Sequence, residues 1–263
     1  MQTEKIIYHI TNWLTNYLET SNQKGFVIGI SGGIDSAVVS TLCAKTGFPL
    51  LCLEMPIHQE INQVNRATNH IDWLKTNFKN VESQIVDLTQ LYDTFEKEVK
   101  ISEKNEIQQL SLANTRSRLR MTTLYYFAGI RQFIVAGTGN KIEDFGIGFF
   151  TKYGDGGVDI SPIGDLTKSE VYELARNLNI LNEIQKAVPT DGLFGDNRSD
   201  EDQIGASYNE LEWAMKLFEE GHHSDEFSGR EREVFQIFEK RNKANRHKIE
   251  LIPVCEIPNE WKY

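Results

Sequence analysis

The chain has 263 residues, and 28 Lys and Arg against 38 Asp and Glu give a formal net charge of −10 and a pI near 5.2. An acidic chain lacks the basic face that phosphate neutralisation demands, which excludes a nucleic-acid binder working through bulk charge. With 40% hydrophobic residues, 25% charged residues and six prolines the composition is that of an ordinary globular protein, long enough for one α/β domain over 1–263.

The N-terminus has Glu4 and Lys5 before an amphipathic stretch and no basic segment leading into an apolar one, so no secretion signal is read there. Nor is any apolar run close to the roughly 18 residues that a membrane span needs. Cys43, Cys52 and Cys255 are odd in number and lack C-x-x-C spacing, which suits a reducing cytoplasm.

Ile6, Ile7, Ile10, Trp13, Leu14 and Leu18 recur at helical spacing and predict a surface helix over residues 3–20. Phe26 to Ile30 reads as a buried strand, Ser36 to Lys45 as a helix, and Leu50 to Glu54 as a second strand. A helix carrying Val64, Ala67, Ile71, Leu74 and Phe78 precedes a third strand expected at Gln84 to Leu88. Residues 93–112 are polar and weakly patterned and predict a mobile surface insertion. Ala113 to Phe127 reads as a helix and Gln132 to Gly137 as a fourth strand. This alternation predicts a Rossmann-like parallel sheet with helices on both faces, binding its ligand at the carboxyl ends of the strands.

Phe145 to Gly164 then holds six glycines, too many for a helix. Thr167-Lys168-Ser169-Glu170 forms a capping box before a helix ending at Leu178. Residues 190–203 read as a flexible loop, and helices follow over about Ser207 to Glu220 and Arg230 to Asn245.

The stretch Gly29-Ile30-Ser31-Gly32-Gly33-Ile34-Asp35-Ser36 lies between a strand and a helix. Its small residues let several N–H groups and a helix N-terminus converge on one anion. It has neither the Walker lysine nor G-x-G-x-x-G. Asp35 would repel a bare phosphate, so a divalent cation between the two, read as Mg²⁺, is implied; as an isolated S-G-G turn, Asp35 would simply be a helix-capping residue. Lys168, a cation at the first turn of a helix, opposes the helix dipole and makes more sense beside a phosphate. Lys152 sits among glycines and aromatics, a poor place for a mere solubility charge.

The loop resembles the pyrophosphate loop of the ATP pyrophosphatases. The downstream strings Arg118-Leu119-Arg120-Met121, Gly137 to Glu143, Gly148-Phe149-Phe150-Thr151-Lys152-Tyr153-Gly154-Asp155-Gly156-Gly157, Asp159, Leu166-Thr167-Lys168, Pro189-Thr190 and His247-Lys248 are similar, in order, to those of the NAD synthetases. The resemblance spans residues 26–248 and implies ATP-dependent amidation of deamido-NAD by ammonia, through an adenylated intermediate, releasing AMP and pyrophosphate. It also implies that Gly29, Ile30, Ser31, Gly32, Gly33, Ile34, Asp35, Ser36, Thr138, Lys168 and Thr190 contact ATP. Asp35 and Glu143 would hold Mg²⁺, and Asp35 and Lys168 would carry the chemistry. Arg118, Lys152, Asp159, His247 and Lys248 would contact deamido-NAD. Asn140-Lys141 stands where some members carry another polar pair.

Family members are homodimers, and the helices at residues 3–20 and 60–78 could supply an interface. The chain enters the synthetase pattern almost at once, and its cysteines lie in apolar or terminal positions, so free ammonia and not glutamine is the expected nitrogen donor. Amidation of nicotinate mononucleotide is the nearest alternative. A non-catalytic adenine-nucleotide module would not need the Asp35 and Glu143 pair, and a tRNA-modifying pyrophosphatase would need a basic domain or metal-type cysteines. Lys240 to Lys248, the chain's one basic cluster, lacks the interleaved aromatics of a nucleic-acid arm.

Overall fold

Apolar residues fill both faces of Phe26–Gly29 (β1) and Leu50–Glu54 (β2), and such strands are stable only in the middle of a sheet covered on both sides. The computed structural model describes residues 1–99, 105–190 and 199–262 and places them there. The parallel sheet is completed by Val81–Ile85 (β3) and Ile134–Val135 (β4), in the order β3-β2-β1-β4. Gly29 registers with Leu53, and Ala136 extends the β4 edge by an isolated parallel bridge to Ile160.

Side chains alternate along β1, so its two faces feed two cores. Phe26 and Ile28 meet Leu14 and Leu18 of Thr3–Thr20 (α1), Leu42 of Ile34–Lys45 (α2), Leu74 of Ile61–Asn77 (α3) and Leu174 of Lys168–Asn177 (α6). Val27 on the opposite face meets Leu51, Leu53, Tyr92 of Thr89–Glu98 (α4) and Ala128 of Glu106–Arg131 (α5). A third core lies away from the sheet. There Ile142 and Ile147 of a π-helical turn, Lys141–Ile147, pack with Leu211, Phe235 and Phe238. The last three come from Tyr208–Glu219 (α9) and Gly229–Ile249 (α10), after the short helices Asn182–Gln185 (α7) and Asp200–Ile204 (α8).

Four boundaries differ from expectation: the fourth strand, expected at 132–137, is Ile134–Val135, because Gln132 is the C-cap of α5 and Ala136 makes only an isolated bridge, and three others follow. The third strand lies at 81–85, not 84–88: the apolar Val86 and Leu88 belong to its exit, where their N–H groups bond the carbonyls of Glu54 and Pro56 at 2.8 and 3.0 Å. Of the 93–112 stretch, residues 93–98 close α4 and 106–112 open α5, mostly exposed, and residues 100–104 lie outside the described residues. A capping box does this, with Asn105 Oδ1 accepting the Gln108 N–H at 2.9 Å, and it holds a helix whose first turns bury too little to show a stripe. In the 190–203 stretch, residues 191–198 are outside the described residues, whereas Ser199 caps α8 through the Asp202 N–H at 3.0 Å. Among the described residues no helix is long and apolar enough to cross a membrane.

Candidate active site

The loop leaving β1 is shaped by its own small side chains. Gly33 N–H donates to Ser31 Oγ at 3.2 Å, and Ser36 Oγ donates to the Gly33 carbonyl at 3.0 Å. Gly32 has φ +79°, and a Cβ there would lie 2.5 Å from the Gln63 carbonyl, so the loop is pressed against α3 where only glycine fits. Arg66 on α3 holds the Gly32 carbonyl at 3.2 Å. Because Gly33 occupies the N-cap of α2, no side chain satisfies the first N–H groups of that helix, and they face an incoming anion.

Three elements meet beside this loop. Lys168 Nζ, projected by the first turn of α6, lies 2.6 Å from Asp35 Oδ2 and 3.1 Å from Glu143 Oε1. The Thr167–Glu170 box fixes that turn, with the Glu170 carboxylate accepting the Thr167 N–H at 2.9 Å. Burial pushes the Asp35 carboxyl above its ordinary range, against the pull of Lys168. Burial alone would lower the Lys168 ammonium, but Asp35 and then Glu143 outweigh it and hold it protonated. Asp144 is pushed well above the carboxylate range by burial and then by the Glu143 and Asp155 carboxylates.

Two residues that complete this centre were not singled out from the sequence. Asn140 is fully buried: its Oδ1 accepts the N–H groups of Ile142 and Glu143, each at 3.2 Å, and its Nδ2 donates to Asp35 Oδ1 at 3.3 Å. One amide therefore caps the turn that carries Glu143 and orients Asp35. Tyr208 donates to Glu143 Oε1 at 2.5 Å, and its ring lies 4.8 Å from Lys168 Nζ. For Asn140 the signal was present as an Asn followed three residues later by an acid; for Tyr208 no local pattern exists.

A cleft of about 320 Å³ opens over this centre at the carboxyl ends of β1 and β2. Gly29, Ile30, Ser31, Gly33, Ile34, Asp35, Ser36, Thr138, Glu143, Lys168 and Thr190 all line it, together with Arg120 and Glu54. Gly32 does not; it faces α3.

The remaining candidates gather where α5, the 150–159 segment and α10 meet. Arg118 donates to the Lys152 carbonyl at 3.3 Å, and Lys152 Nζ donates to the His247 carbonyl. Ser117 holds Asp155 at 2.6 Å and ties this segment to α5. Asp159 has one oxygen on the Val135 N–H at 2.8 Å and the other on the Tyr125 hydroxyl at 2.9 Å. Lys248 donates to the carbonyls of Gly148 and Phe150 at 2.5 and 2.8 Å, while Asn242 and Asn245 hold those of Gly146 and Ile147. Part of the polar end of α10 thus serves to bind down the backbone that follows Glu143.

The chain is similar to known proteins. An NH(3)-dependent NAD(+) synthetase of Carboxydothermus hydrogenoformans is 39% identical, the match covering 80% of this chain and 83% of the relative. One from Archaeoglobus fulgidus is 37% identical, with 98% of each chain covered. The solved structure of an NMN synthetase from Francisella tularensis superposes with a TM-score of 0.82 at 32% identity, covering 98% of this chain and 99% of the other. The family model described as NAD synthase matches residues 6–252, a stretch that takes in all four strands, the loop after β1 and the lysine centre. The chain belongs to the NAD synthase family.

Proposed function

We propose that the protein joins ammonia to the pyridine carboxylate of deamido-NAD, activating that carboxylate with ATP and releasing AMP and pyrophosphate. The observation that carries this reading is the Lys168 ammonium fixed between Asp35 and Glu143 beside the uncapped N-terminus of α2. Attack of a carboxylate on the α-phosphorus brings two anions together, so its barrier is dominated by charge. The loop N–H groups would receive the departing pyrophosphate, and Lys168 would stabilise charge on the phosphorus being attacked. The loop has no Walker lysine to aim at a γ-phosphate, which agrees with cleavage at the α-position.

The donor set fits Mg²⁺. One ammonium does not neutralise two carboxylates, the Asp35 carboxyl is pushed up by burial for want of compensation, and both are hard oxygen donors. Asp35 and Glu143 would hold the ion, which supplies charge neutralisation along the triphosphate. Asn140 and Tyr208 orient those two carboxylates.

Arg118, Lys152 and His247 are the proposed contacts to the pyridine nucleotide. Asp159, engaged by the Val135 N–H and the Tyr125 hydroxyl, and Lys248, which bonds the Gly148 and Phe150 carbonyls, shape that region. For the nitrogen source, burial pushes the Cys43 thiol up and that of Cys52 up to about 12, so neither is an activated nucleophile for hydrolysing glutamine. The free thiols agree with a reducing cytoplasm. We also infer a homodimer. Large exposed apolar side chains that could form its contact occur on α1, at Tyr8, Trp13 and Tyr17, on α3 at Ile61, and on α5, where Tyr126 and Ile130 lie one turn apart.

The similarity to a protein named NMN synthetase favours a second reading, amidation of nicotinate mononucleotide by the same chemistry. The deciding experiment compares kcat/KM for the two acids at fixed ATP, Mg²⁺ and ammonium, with products identified. AMP and pyrophosphate with the dinucleotide preferred is the expected result. ADP and orthophosphate would reject the mechanism, efficient use of glutamine by the purified chain would reject the nitrogen source, and a preference for the mononucleotide would replace the acceptor.

A further inference from the structure

Glu54 is the charged residue that ends an otherwise apolar strand. Leu50, Leu51, Cys52 and Leu53 are buried, and Glu54 itself is only 6% exposed. Carboxylates are seldom buried to this degree without a partner of opposite charge. Here Oε2 accepts one hydrogen bond, from Thr68 Oγ1 at 2.8 Å, and among the described residues no ion pair links the group to a basic side chain. Neither Glu54 oxygen is sealed off without a partner, and the residue lines the cleft. A buried acceptor is thus left with capacity toward the ligand space.

Its position specifies what could use that capacity. Gly29 registers with Leu53, so Glu54 lies beside Ile30, the first residue of the phosphate loop, about 4.8 Å away across the sheet. In open parallel sheets nucleotides lie across the carboxyl ends of the strands, so a carboxylate at the end of the second strand, beside the phosphate loop, faces the space where a sugar would lie. An ionised carboxylate only accepts, so phosphate oxygens cannot be its partners. The apolar side chains of Met55 and Leu124, which lie over Gly29, suit the face of a base.

We propose that Glu54 reads the sugar of the nucleotide, its carboxylate accepting hydrogen bonds from the ribose hydroxyls of ATP. The assignment rests on ATP occupying this cleft and adds a specificity-determining residue to it. Thr68 Oγ1 also lies 3.1 Å from the Val64 carbonyl, so a Glu54→Met variant leaves the threonine hydroxyl with an acceptor.

The test measures kcat/KM and the ligand-induced rise in Tm with ATP, 2′-deoxy-ATP, 3′-deoxy-ATP and inosine triphosphate, for the wild type, Glu54→Met and Glu54→Gln. The wild type is expected to disfavour at least one deoxy analogue by about tenfold or more, as befits a hydrogen bond to a charged group. In Glu54→Met that preference collapses to within about threefold, while any penalty against inosine triphosphate is unchanged. Should Glu54→Met fail to fold, Glu54→Gln keeps a weaker acceptor and is expected to lose several-fold of the same preference. Undiminished discrimination in the variants, or loss of the inosine penalty instead, would overturn the assignment. No Tm rise with ATP in the wild type would overturn the ATP reading beneath it, whereas equal rises and rates with all four nucleotides would overturn the Glu54 assignment alone.

Discussion

Lys168 could be singled out in the sequence because it breaks a local rule, a cation in the first turn of a capped helix, and its place between two carboxylates explains the breach. Asp35 stood out for a similar reason, as an acid in an anion-binding loop. Asn140, Tyr208 and Glu54 obey every local rule, so their roles emerge only when distant segments meet: Asn140 is 105 residues from the Asp35 it orients. Removing the ammonium should be costly, since it leaves two half-buried carboxylates without a counter-charge. Lys168→Met is expected to lose most turnover and about 3–5 kcal/mol of unfolding free energy at pH 8. Lys168 lowers the Asp35 pKa against burial, so without it the native carboxyl binds its proton at a higher pH than in the wild type, and the deficit should shrink toward pH 5. Urea melts at the two pH values measure this; an equal deficit at both would show that charge is not its origin.

Among the elements, those with buried stripes were legible and those with one dry face or none were displaced. α1, α2 and β2 lie where periodicity placed them, whereas edge strand β3 buries only Val81 and gave up its signal to the apolar exit. α3 illustrates what periodicity omits. His70 on that helix is fully buried, stacks on Trp73 and shares a 2.9 Å hydrogen bond with Ser40 of α2, and burial lowers its pKa to about 4. The unfolded chain therefore binds the proton first as pH falls. Stability should be complete above about pH 6.5 and decline toward pH 4, by at most about 3 kcal/mol from this group. His70→Gln is expected to flatten that slope relative to the wild type in urea melts from pH 7 to pH 4.5; parallel slopes would remove His70 from the account. In the segment anchored by Ser117, Lys152→Ala and Arg118→Ala should raise KM for the pyridine acid about tenfold or more with KM for ATP little changed. The reverse order in steady-state kinetics would move both residues to the nucleotide side.

For the molecule as a whole, two cores flank the sheet and the third, built from the π-helical turn, α9 and α10, stands beside it. The third was unreadable in advance because its residues are scattered between 142 and 238, with glycine-rich backbone between them. For the proposed homodimer, the wild type is expected to sediment as a dimer and Tyr126→Glu with Ile130→Glu as a monomer; a persisting dimer in the variant would place the contact elsewhere. The wide turn at Lys141–Ile147 has a consequence for how this chain can change in length. Its Gly148 N–H reaches back five residues to the Glu143 carbonyl. Losing one residue there would restore ordinary winding, in which each residue advances by about 100°. The carbonyls of Gly146 and Ile147 would rotate, relative to Glu143, off the asparagines of α10 that hold them. Residue number in this turn acts as a phase setting, and a deletion there is a rotation of the Glu143 carboxylate against its supports. In the exposed stretch after Ile249, the same deletion would only shorten the chain.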